Sequence, residues 1–271
     1  MTHLHDHDRG LSHDLPTLLS RRRILTLLGG AGLATLAACG SESATTSGSA
    51  ATTSPAATAT AAAAGTQIPE ETAGPYPGDG SNGVNVLSET GIVRSDITTS
   101  FGPASGVAKG VPLTIKLNVL DTGNGATGLQ GAAVYLWHCD IDGKYSLYSE
   151  GITEENYLRG VQEADSSGAV TFTSIYPAAY SGRWPHIHFE VYPSLAKATT
   201  ASDKLRTSQL ALPEDTNTLV YATTGYSTSV RNLAQTSLAT DNVFSDGYSL
   251  QLATVTGSVE DGFTATLNVP V

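Results

Sequence analysis

The chain has 271 residues, with 25 acidic against 14 basic side chains and a formal net charge of -11. That balance excludes a nucleic-acid partner, because neutralising phosphates takes clustered Lys and Arg. The two cysteines, Cys39 and Cys139, stand in unrelated contexts, which excludes a disulfide framework. A composition rich in Gly, Ser, Thr, Ala and Val and poor in Met and Phe suits an extracellular β protein better than a helical one.

Residues 1–38 read as an address rather than a fold. Ser20-Arg21-Arg22-Arg23-Ile24-Leu25 is a twin-arginine pattern, and the apolar run 24–38 is too short and too Gly- and Ala-rich for a permanent span. It ends in Leu36-Ala37-Ala38-Cys39-Gly40, a lipoprotein cleavage box in which Cys39 becomes the lipidated first residue. Several acyl chains on Cys39 would hold the protein stably on the outer face of the cytoplasmic membrane or on the cell surface. An ordinary signal peptide is the plainer alternative, but twin Arg, apolar run and box stand in the right order. His3, His5, His7 and His13 precede the run and leave with it. Residues 39–66 hold the lipidated Cys and a Ser/Thr/Ala tether that cannot bury a core. The globular domain is therefore expected over residues 67–271. Removing residues 1–38, with three Asp and four Arg, leaves 22 acidic and 10 basic side chains.

The domain reads as strands separated by turns. Residues 111–120 (VPLTIKLNVL) alternate in part between Gly110 and Asp121-Thr122-Gly123, and 132–139 (AAVYLWHC) is an apolar run closed by Asp140-Ile141-Asp142-Gly143. Residues 169–175 follow the turn Asp165-Ser166-Ser167-Gly168, 185–192 (PHIHFEVY) follow Ser181-Gly182, and 248–256 and 263–269 end the chain. Short strands with turn signals between them predict an all-β, antiparallel β-sandwich with few short helices, one of them within 227–240. The twin-arginine route exports folded proteins, a soft pointer to a cofactor acquired beforehand.

Beyond residue 38 the histidines are His138, His186 and His188. His186 and His188 are spaced i, i+2 on a predicted strand, so both face one side while Ile187, Phe189 and Val191 face the core. Two imidazoles aimed at one point suit a shared metal; an isolated pair of this kind is more often two partly exposed strand histidines. Arg183 stands three residues before His186 and Tyr180 three before that, and Trp137-His138-Cys139-Asp140-Ile141-Asp142-Gly143-Lys144-Tyr145 carries another tyrosine.

With these segments the chain resembles the intradiol ring-cleaving dioxygenases, the catechol and protocatechuate 3,4-type enzymes. The resemblance runs from Glu71-Thr72-Ala73-Gly74-Pro75-Tyr76, through Leu158-Arg159-Gly160-Val161-Gln162-Glu163-Ala164-Asp165 and Arg183 to His188, to Thr207-Ser208-Gln209-Leu210. The variant around Trp137 to Tyr145 is similar to the family's secreted branch. It implies a β-sandwich with Fe(3+) at its edge, bound by Tyr145, Tyr180, His186 and His188. Arg183 takes the family's active-site arginine, which stabilises charge developing on the ring, and Gln209 a glutamine beside the substrate. The implied reaction cleaves a small aromatic diol between its hydroxyls with O2 to a muconate-type diacid. Tyr180 is the implied tyrosinate that leaves the iron and accepts a catechol proton.

Three readings stand at this point: that enzyme, a non-catalytic cell-surface sandwich binding aromatics or metal, and a copper or zinc enzyme built on the two histidines. His138 is expected to be structural, Cys139 a buried free thiol, and Asp140 to Gly143 a plain turn rather than a calcium loop. Tyr76 is either a pocket wall or a simple turn, and the acidic stretch 150–155 is a candidate wall. Gly-x-Ser-x-Gly, His-Glu-x-x-His, Cys-x-x-Cys and P-loop patterns are absent from the sequence. A homodimer is compatible with the sequence, which leaves the oligomeric state and the choice of catechol open.

Overall fold

Alternating burial along β1 (Pro112–Asp121) founds the first of two sheets: Leu113, Ile115, Leu117 and Val119 turn inward, while Lys116 between them is exposed. Residues 66–271 are described by a computed structural model; the twin-arginine segment, Cys39 and the tether as far as Gly65 lie outside the described residues. β1 pairs antiparallel with β5 (Ala169–Ile175) and, at its far end, with the short β2 (Thr127–Gly128). Its other edge pairs with β9 (Gly262–Pro270), and β8 (Thr254–Ser258) pairs antiparallel with β9. The β1–β9 pair is parallel, Leu113 opposite Phe263 through Leu120 opposite Pro270, and it is the one parallel pair among the strands named for the described residues. More than a hundred residues separate these strands, so no hairpin fixes the sense in which they meet.

The second sheet runs in the order β4 (Arg159–Glu163), β3 (Ala133–Trp137), β6 (His186–Tyr192), β7 (Arg206–Ala211), all antiparallel. Its inner face supplies Val134, Leu136, Ile187, Phe189, Val191 and Leu210 to the core shared with the first sheet. Ile187, Phe189 and Val191 thus point where the alternation puts them. Its outer face, with Ala133, Tyr135, Trp137, Val161 and Tyr192, is covered by Val86, Leu87 and Ile92 of the segment before β1. A sheet buried on both faces reads as an apolar run rather than an alternation, and β3 and β6 are buried at every residue.

Two α-helices occur among the described residues, α1 (Glu214–Tyr221) and α2 (Ser227–Leu233). The second falls inside the expected 227–240 span; the first carries no sequence expectation. The strand expected over 248–256 is corrected to Thr254–Ser258, because Gln251 N and Leu252 N donate to Tyr248 O and turn the chain first.

Candidate metal centre

The outer face of the second sheet carries the site. Cross-strand register sets Arg159, Trp137, His188 and Gln209 in one row over β4, β3, β6 and β7. His186 is two residues along on the same face of β6. The next row, Val161, Tyr135, Glu190 and Thr207, holds a buried carboxylate: Glu190 accepts from Lys204 Nζ at 2.7 Å and from Tyr192 Oη at 2.7 Å.

Both tyrosines arrive on loops. Asp140 Oδ1 accepts from Asp142 N and Lys144 N, closing a tight turn that delivers Tyr145. Gly143 in that turn has φ +77°, and a Cβ there would stand 3.0 Å from Tyr180 Cβ. Glycine supplies both the left-handed backbone and the space that lets the two tyrosine loops touch. Tyr180 lies between β5 and β6 and is the partly exposed member of the group; Tyr145, His186 and His188 are buried.

The polar ends converge. Tyr180 Oη is 3.1 Å from His186 Nε2, His186 Nε2 is 3.1 Å from His188 Nε2, and Tyr145 Oη is 3.5 Å from Tyr180 Oη. His186 Nδ1 meets the Trp184 carbonyl at 2.5 Å, and because a carbonyl only accepts, the proton sits on Nδ1. The Nε2 lone pair therefore faces the cluster. His188 is held differently: its ring stacks on Trp137 at 4.9 Å and 7°, while its Nδ1 has no hydrogen-bond partner. Packing, rather than the usual hydrogen bond to the other ring nitrogen, fixes this imidazole. Gly74, at φ +70°, lets the covering chain pass it; a Cβ there would lie 3.4 Å from His188 Cε1. Burial first, and Arg183 among the neighbouring charges, drive both histidines well below the ordinary value, so both are neutral. Burial likewise pushes Tyr180 up to about 12 and Tyr145 well above its usual value, with Tyr180 adding to the second.

Arg183 is buried against the same point. Its Nη1 lies 3.3 Å from His186 Nε2, its Nη2 donates to Gln209 Oε1 at 2.6 Å, and its Nε to Asp241 Oδ2 at 2.9 Å. Burial opposes its charge, but the neighbouring Tyr180 and Asp241 outweigh it and raise its pKa. Gln209 Nε2 donates to Thr72 O, which ties Gln209 to the covering segment. All six residues singled out in the sequence therefore meet in one place.

Sequence reasoning passed over three contributors. Trp137 reads as core. Arg159 reads as part of a motif, yet it is buried and spends its guanidinium on Ser146, Tyr135 and the carbonyls of Tyr76, Pro77 and Ser146, bracing the Tyr145 loop. Asp241 lies in a polar stretch that reads as a plain loop. His138 is satisfied by Ser174 Oγ at 2.7 Å and the Cys139 carbonyl at 2.8 Å, as a structural histidine should be. Cys139 is a buried free thiol and Asp140 to Gly143 a plain turn. Tyr76 places its ring 5.0 Å from that of Tyr145, and Glu155 of the acidic stretch accepts from Gly106 N.

Among the described residues no three His, Cys, Asp or Glu side chains are grouped to hold a metal. A metal at the two histidines needs the phenol oxygens as further donors. Two neutral nitrogens and two oxygens that become anionic on binding fit a hard, high-valent ion.

Residues 89–216 match the family model described as Dioxygenase. The fold resembles that of an intradiol ring-cleavage dioxygenase from Tetranychus urticae, 25% identical, with a TM-score of 0.55, over 67% of this chain and 87% of that one. The dioxygenase domain of a carbohydrate-binding fusion from Streptomyces sp. SirexAA-E is 22% identical over 76% of this chain and 98% of its own, with a TM-score of 0.49. The matched segment is thus similar to a dioxygenase family model, and the chain shares its fold with an intradiol ring-cleavage dioxygenase.

Proposed function

We propose that the protein is an extracytoplasmic, Fe(3+)-dependent intradiol dioxygenase that opens catechol-type rings between their two hydroxyls. The observation that carries this reading is the convergence of Tyr145 Oη, Tyr180 Oη, His186 Nε2 and His188 Nε2 beside the Arg183 guanidinium. These four side chains would hold the ion, with Trp137 keeping the His188 ring in plane. Iron held there would supply a Lewis-acidic centre that a catechol could chelate through its two oxygens, and would activate the ring towards O2. Tyr180 Oη, on the partly exposed donor, is the atom to take up a catechol proton as substrate enters. Arg183 Nη1 faces the cluster and would stabilise negative charge on the bound ring; Gln209, held between Arg183 and Thr72 O, would orient it. The buried side chains of Trp137, His188 and Tyr145 exclude water from that side. The two other readings lose ground on the same residues: a relic site has no need of the buried Arg183, and a copper or zinc site no need of two tyrosines.

Oxygen uptake with catechol and with its carboxylated and methoxylated relatives tests the reading. Incorporation of both atoms of labelled O2 into a muconate-type diacid is expected. A semialdehyde product, or no uptake with any catechol by iron-loaded protein, overturns it.

The place of action is read from the twin-arginine pattern and the box at Cys39: export in the folded state, then anchoring by lipid on Cys39 with residues 39–66 as the tether. In cells, Cys39→Ser is expected to move the protein from the membrane to the soluble fraction; unchanged membrane association contradicts the anchor.

A further inference from the structure

We infer that Asp241 is the positioning residue that aims Arg183 at the reaction centre, an inference that rests on the catalytic role of Arg183 given above. Asp241 is fully buried, and no lysine is among its partners. Its Oδ2 accepts from Arg183 Nε at 2.9 Å and from Trp184 N at 2.7 Å. Its Oδ1 accepts from Val243 N at 2.8 Å and Phe244 N at 3.2 Å, and lies 3.5 Å from Arg183 Nη2. The backbone donors hold the carboxylate still, and the carboxylate holds one edge of the guanidinium. A planar guanidinium gripped on the Nε edge has little rotational freedom left. Its remaining donors are then fixed: Nη2 on Gln209 Oε1 at 2.6 Å and Nη1 at 3.3 Å from His186 Nε2.

The placement matters because Arg183 stands on the turn that leads into β6, and Asp241 bonds both its side chain and the backbone of the next residue. Tyr180 sits across the cluster, so without Asp241 only the bond to the neutral acceptor Gln209 and the contact with His186 would hold the guanidinium back from the phenol oxygens. Catalytic groups displaced by about 1 Å lose on the order of 100-fold in rate.

The test is a cycle of Arg183→Ala, Asp241→Asn and the double variant in the iron-loaded full chain, with a separate readout in metal-free protein. Asp241→Asn is expected to lower kcat about 10- to 100-fold with KM little changed, and to cause no further loss in the Arg183→Ala background. In metal-free protein the 1H–15N signal of Arg183 Nε, assigned by its disappearance in Arg183→Lys, is expected to exchange with water at least about tenfold faster once Asp241 is Asn. An equal loss of kcat in both backgrounds, an unchanged kcat, or an unchanged Arg183 Nε signal overturns the inference. Should Asp241→Asn fail to fold, Asp241→Glu, which keeps the charge but lengthens its reach, enters the same cycle with the same outcomes. If the wild-type protein turns over no catechol, the dioxygenase reading falls, while the Arg183 Nε signal still decides whether Asp241 holds the guanidinium.

Discussion

The two sheets of the sandwich share a core but treat their outer faces in opposite ways. On the first, Lys116, Thr171 and Thr173 meet solvent between buried Ile115, Leu117 and Phe172. On the second, β3 and β6 are buried throughout, and the covered outer face carries two histidines, an arginine, a glutamine and a glutamate. The first sheet is a wall; the second is a wall with a polar interior built on its back. Burying that polar row is costly unless every group finds a partner, and most do, through Arg159, Lys204, Asp241 and the segment before β1.

The inner faces should behave alike. Phe172→Ala on the first sheet and Phe189→Ala on the second each remove a fully buried ring, and each is expected to cost about 3–5 kcal/mol in denaturant unfolding. A much smaller loss at either position would mean that the sheets do not share one core.

The outer faces should not. Arg183→Ala is expected to lower kcat about 10²- to 10³-fold in oxygen-uptake assays, whereas Lys116→Ala on the exposed face of β1 leaves it unchanged. A comparable loss from both would erase the distinction between the faces.

His138 sharpens the comparison, since it is a buried histidine outside the cluster. Burial, partly offset by its bond to the Cys139 carbonyl, lowers its pKa from 6.5 to about 4. The unfolded chain therefore binds the proton first, and the stability conferred by a neutral His138 is present above pH 6.5 and lost as pH falls through about 4. The shift is worth about 3 kcal/mol at most. Thermal melts of His138→Asn should show a flatter decline between pH 6.5 and 4 than the wild type; an identical slope would place the acid sensitivity elsewhere.

The smallest contrast lies in single hydroxyls. Tyr135→Phe strips a partner from Arg159 Nη1 and from the Pro77 carbonyl, both buried, and should cost about 1–3 kcal/mol. Thr171→Ala on the exposed face of β5 should stay within about 0.5 kcal/mol. Equal effects in chemical denaturation would contradict the burial of the second sheet's back.

The same contrast explains what could be read from the chain. β1 and β5 announce themselves by alternation, and β6 by its apolar partners between the histidines. β4 (RGVQE) and β7 (RTSQLA) do not, because Arg159 and Gln209 serve the polar face and break the pattern. Tyr180, Arg183, His186 and His188 were legible because β6 and its approach keep them within nine residues, whereas Tyr145 was legible only through the family resemblance of the segment from Trp137 to Tyr145. Asp241 was not, because it reaches Arg183 across 58 residues from a polar loop, and tertiary contacts of that separation leave no local periodicity. The parallel β1–β9 pair escaped for the same reason.

The claim at the centre is that two tyrosines and two histidines hold one ferric ion. The direct measurement is the visible spectrum of iron-loaded protein, since ferric tyrosinate absorbs by ligand-to-metal charge transfer. A coloured wild type is predicted, with the band weakened and shifted in Tyr145→Phe and in Tyr180→Phe and absent in the double variant. A colourless wild type at full iron occupancy, or a band that survives both substitutions unchanged, would contradict the account.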